Sequence, residues 1–77
     1  MKEISPDHQK RLNAIGSYLR ELRLSEGLTQ KQTKCGVHRN ILSRIEHPKT
    51  SKNFTILTLF HLCDFYGIKP YELLEIL

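Results

Sequence analysis

Leu12, Ile15, Leu19 and Leu22 stand three, four and three residues apart. That is the interval at which side chains return to one face of an α-helix. Upstream, Ser5 suits an N-cap, Pro6 the first helical position and Asp7 the positive end of the helix dipole. Gly27 supplies a stop. The pattern predicts a first helix over about residues 6–26, with residues 1–11 as an N-terminal extension. A second helix is predicted from Thr29, because Thr29 and Gln32 form a capping box; Gly36 cuts it short at less than two turns. A third begins at His38 or Arg39 and runs to Glu46 or His47, where Pro48 stops it. Polar residues 47–53 form a loop. Thr55 then caps a fourth helix ending at Gly67, with Ile56, Leu59, Leu62, Cys63 and Tyr66 expected on its buried face. Pro70 opens a short fifth. Five helices and no strand pattern predict an all-α fold, a compact five-helix bundle in one domain over residues 1–77.

The third predicted helix has the sharpest pattern. With Arg39 at zero on a wheel of about 100° per residue, Ser43, His47, Asn40 and Arg44 fall between about 40° and 140°. Ile41, Ile45 and Leu42 fall between about 200° and 300°, and Glu46 near about 340°. One face therefore carries arginine, asparagine and serine with no carboxylate. Arginine can donate two hydrogen bonds to guanine, asparagine can pair with adenine, and serine can reach bases or phosphates.

Charge strengthens that reading. The net charge is +4, but it is uneven. Residues 29–53 carry Lys31, Lys34, Arg39, Arg44, Lys49 and Lys52 against Glu46 alone. The flanking thirds are close to balance or acidic. A basic middle segment suits a polyanion, although a solvated basic face would give the same count.

Other chemistry finds little support. The apolar stretches are too short to span a membrane, and the N-terminus lacks a signal-peptide core, so a cytoplasmic location is expected. Cys35 and Cys63 are expected as reduced thiols. Cys35, His38, His61 and Cys63 do not match the spacing of structural zinc sites, and neither a metal nor a cofactor is expected. No Ser/His/Asp or Cys/His spacing points to an enzyme.

The stretches GLTQ, GVHRNILSRIE and TILTLFHLCDFYGIKPYELL, in this order, resemble the lambda-repressor/Cro/Xre family of helix-turn-helix regulators over about residues 12–74. The resemblance implies a bundle whose third helix enters the DNA major groove. It implies base contacts from Arg39, Asn40, Ser43 and Arg44, and phosphate contacts from Gln30, Lys31, His38, Lys49 and Lys52. It also implies an Arg23–Glu46 pair tying the first helix to the end of the third. One departure stands out: only five residues separate Gln30 from Gly36, about two fewer than is usual in the family. If that helix stayed continuous, the loss would rotate its flanks by about 200°. The helix must therefore start later or draw in the loop from Gly27. The alanine that packs the family's second helix against its third has Gln32 or Thr33 as its nearest counterpart.

Partners follow from the C-terminal part. Leu57 and Phe65 stand where the family's members are often polar or small, and the chain ends on apolar side chains; with Tyr71, Leu74 and Leu77 they suit either a thicker core or a two-fold dimer. The expected function is a stand-alone dimeric repressor on double-stranded DNA. The alternative is an antitoxin that binds both DNA and a toxin protein.

Overall fold

The computed structural model describes residues 5–34, 36–47 and 55–76. Four α-helices and no strand occur among them: α1 (Pro6–Ser25), α2 (Arg39–Glu46), α3 (Ile56–Tyr66) and α4 (Pro70–Glu75). The fold is all-α. α1 is the central element, packing on α2, α3 and α4, while α4 also packs on α3.

Side-chain chemistry sets most helix ends. Ser5 Oγ accepts from the His8 amide at 3.2 Å, and Pro6 occupies the first turn without wasting an amide. After α1, Gly27 adopts φ +69°, and the Leu28 amide reaches the Arg23 carbonyl at 3.2 Å. Together with the Gly27 amide on the Leu24 carbonyl, this is a Schellman closure. α3 ends the same way, with Gly67 at φ +69° and the Ile68 amide on the Cys63 carbonyl. Thr55 Oγ1 caps α3 by accepting from the Thr58 amide.

The core draws on every helix. Ile15 and Leu19 meet Leu42 and Ile45 from α2, Leu59, Leu62 and Cys63 from α3, and Leu73 from α4. Burial pushes the Cys63 thiol above its ordinary range, helped by the nearby charges of Asp64 and Glu72. Ile56 is a correction to the expected α3 face. It is 63% exposed: it is the first residue of α3, one turn before the buried stretch that begins at Leu59.

The predicted second helix does not form, which leaves four α-helices among the described residues rather than five. Its capping box is nevertheless complete. The Thr29 amide donates to Gln32 Oε1 at 3.0 Å, and the Gln32 amide donates to Thr29 Oγ1 at 3.2 Å. Thr33 decides the outcome. In an α-helix its amide would bond the Thr29 carbonyl; here its hydroxyl takes that carbonyl at 2.9 Å, and its amide turns to Gln30 at 3.3 Å. Two tight turns replace the helix. Thr33 is buried and Gln32 exposed, so the packing position belongs to Thr33.

Gly36, at φ +83°, lets the chain turn back into α2. A β-carbon there would lie 3.2 Å from His61 Nδ1, whereas one at Gly67 would meet nothing within 4 Å. Gly67→Ala is expected to lose about 1–2 kcal/mol through its left-handed backbone alone. Gly36→Ala should lose more, because the imidazole must also move. Urea denaturation of both variants checks the order, and equal losses would show that His61 yields freely.

Candidate nucleic-acid interface

α2 is short, and its register is set from both ends. His38 caps it through Nδ1, which accepts from the Asn40 amide at 3.0 Å. The hydrogen of a neutral ring then sits on Nε2, free to point outward. At the other end the His47 amide closes on the Ser43 carbonyl, and His47 is extended, as a residue preceding proline should be.

Between these ends, Leu42, Ile45 and Glu46 are buried, while Arg39, Asn40, Ser43, Arg44 and His47 are exposed on one continuous face. The side chains equipped to read base edges are thus displayed together. Ile41 departs from the expected apolar side: it is 45% exposed, lying at the edge of the polar face beside Arg44. The core contact of α2 is centred on Leu42 and Ile45, with Ile41 outside it on one side and buried Glu46 at its opposite edge.

Glu46 is 4% exposed and Arg23 is 7% exposed. Arg23 Nε lies 3.0 Å from both carboxylate oxygens, and a second guanidinium nitrogen lies 2.9 Å from Oε1. The remaining nitrogen donates to the Leu28 carbonyl at 2.6 Å. One guanidinium therefore joins the end of α1, the following turn and the end of α2. Such an array compensates the desolvation of both charges and fixes how α2 sits on α1.

Gln30 belongs to this same network. Its Nε2 donates to Glu46 Oε1 at 3.2 Å, and the residue is half-buried. That corrects its expected place at a helix N-terminus. No helix begins there, and its amide is already directed inward to a carboxylate. Lys31 and His38 are exposed nearby. Lys49 and Lys52 lie outside the described residues, as do Cys35 and Pro48.

Between α1 and α2 runs an open groove of about 490 Å³. Ser17, Arg20 and Glu21 form its α1 wall, and Ser43 and His47 form its α2 wall. Sequence reading missed Arg20, because nothing in a helical pattern says which solvent-facing residues of α1 adjoin the outer face of α2.

A second surface is apolar. Leu57, Phe65, Tyr71 and Leu74 are exposed, and Leu77 lies outside the described residues. Phe60 and Ile56 extend this surface along α3, and Phe65 meets the Tyr66 ring edge-on at 5.1 Å. α3 is consequently hydrophobic on its outer side as well as its inner side.

Among the described residues, no group of three or more histidine, cysteine or acidic side chains is placed to hold a metal ion. No helix among them is long and apolar enough to cross a membrane. Comparisons with protein-family models, with curated proteins and with solved structures give no match.

Proposed function

We propose that this protein binds double-stranded DNA sequence-specifically as a helix-turn-helix regulator of the lambda-repressor/Cro/Xre kind, acting as a dimeric repressor in the cytoplasm. The observation that carries the reading is the outer face of α2. Arg39, Asn40, Ser43 and Arg44 are all exposed on it, no carboxylate interrupts it, and its one nearby acid, Glu46, is buried against Arg23. Arg39 and Arg44 read guanines, Asn40 reads adenine, and Ser43 contacts a base or phosphate. Lys31, His38, Lys49 and Lys52 hold the DNA backbone. Here Gly36 is the turn of the motif, and the shortened segment before it takes the place of the family's second helix.

The apolar outer side of α3, with Tyr71 and Leu74 of α4, is the dimer surface. A soluble domain that leaves such a helix face uncovered usually has a partner for it. The dimer sets two α2 helices on half-sites about 34 Å apart. The same exposed face favours one second reading, an antitoxin whose α3–α4 surface covers a toxin protein.

Selection of bound fragments from a random duplex library tests the reading. An enriched two-fold symmetric motif is expected, and absence of any enriched sequence would overturn it. Lys49→Ala and Lys52→Ala should weaken binding to all duplexes alike. Each should flatten the slope of log affinity against log salt by about 0.9; a change confined to one base position would show that these lysines read sequence instead.

A further inference from the structure

Gln30 lines the groove between α1 and α2 but directs its amide to Glu46, and no helix starts beside it, so a DNA strand passing α2 would need another anchor on the α1 side. The groove between α1 and α2 offers one. Ser17, Arg20 and Glu21 lie on one ridge of α1, at the three- and four-residue spacings that put side chains on a common helix face. Opposite them stand Ser43 and His47, both on the outer face of α2. The groove is thus continuous with the proposed reading face.

Its charges are unequally committed. Glu46, at the groove floor, is neutralised by Arg23 and bonded by Gln30. Arg20 is exposed and has no ion-pair partner among the described residues. Two hydroxyls, Ser17 and Ser43, lie along the same groove. An uncommitted guanidinium with flanking hydroxyls matches a phosphodiester, which takes paired donors on its two free oxygens. Glu21 opposes this from the rim of the same wall, and its effect has the opposite sign.

We propose that the α1–α2 groove seats a backbone phosphate of the bound duplex, with Arg20 as its principal donor. The inference rests on the DNA-binding reading above and assigns α1 a direct share of the contact.

The test measures affinity for the selected duplex and for a scrambled one across a range of salt concentrations. The proteins are the full chain and its Arg20→Ala, Arg20→Lys, Glu21→Gln and Arg11→Ala variants. Arg11 is an exposed cation on the same helix, about 14 Å away along its axis and beyond the screening length at 0.1 M salt. Arg20→Ala should weaken both duplexes by the same factor, about three- to ten-fold, and reduce the salt slope by about 0.9. Arg20→Lys should restore the slope, Glu21→Gln should tighten binding to both duplexes, and Arg11→Ala should change neither quantity. Because all of these side chains are exposed, circular dichroism should show unchanged folding. If the full chain binds with a salt slope that Arg20→Ala leaves intact, the phosphate seat is overturned while DNA binding stands. If Arg11→Ala flattens the slope as much as Arg20→Ala, the effect is the general field of the protein and the seat is likewise overturned. If the full chain binds no duplex, both the seat and the reading beneath it fall.

Discussion

Glu46→Ala is expected to destabilise the fold by about 3–5 kcal/mol, the usual loss when one partner of a buried ion pair is removed. The reason is the guanidinium left behind. Arg23 is 7% exposed and fixed by its bond to the Leu28 carbonyl, so it cannot swing out to water without opening the turn after α1. Gln30 loses its acceptor at the same time. A domain of this size has a total stability of about 4–12 kcal/mol, so the loss removes a large share of the margin. Thermal melting followed by circular dichroism should show a fall of roughly 12–40 °C. The double replacement Arg23→Met with Glu46→Leu removes both charges and should recover much of the loss. If single and double variants melt alike, the unpaired charge is not the source of the instability.

The second large effect is on binding. Arg39→Ala combined with Arg44→Ala is expected to cost about 2–6 kcal/mol on the selected duplex, since each bidentate contact contributes about 1–3 kcal/mol. Affinity would fall roughly thirty-fold to twenty-thousand-fold. Both side chains are exposed, so stability should change little. Each single variant should relax preference at one base position, which a repeated selection would reveal. An unchanged preferred sequence in both would show that α2 does not read the bases.

Much of the helical architecture was legible from local chemistry. Ser5–Pro6, Thr55, Gly27 and Gly67 act within one turn of themselves, and the structure uses each as its residue type suggests. The outer face of α2 was equally legible, because a helix wheel needs only sequence spacing. The segment after Gly27 was not. Its capping box is present, yet a capping box satisfies only the first amides and cannot extend a helix. Whether one follows depended on Thr33, whose hydroxyl competes for the Thr29 carbonyl while its side chain is held in the core. The small number of residues between Gln30 and Gly36 signalled that something would give, without saying what.

Ile41 and Ile56 show the same division. Periodicity marks a residue as apolar and assigns it an angle, but the width of the buried arc depends on what packs opposite. On α2 that arc closes over Leu42, Ile45 and Glu46, because Arg23 arrives from α1 to meet the carboxylate.

By itself, the sequence determined the all-α class, the starts and stops of the four helices that form, and a carboxylate-free basic face on α2. These depend on contacts among residues a few positions apart. Only the tertiary structure decided that Gln30 faces Glu46, that Thr33 replaces a helical turn with two tight ones, and that Arg20 stands across a groove from Ser43 and His47. Each of these joins residues from different segments, and their meeting depends on how α1 and α2 cross. That crossing is set by the Arg23–Glu46 bond and the core beneath it, not by the pattern within either helix.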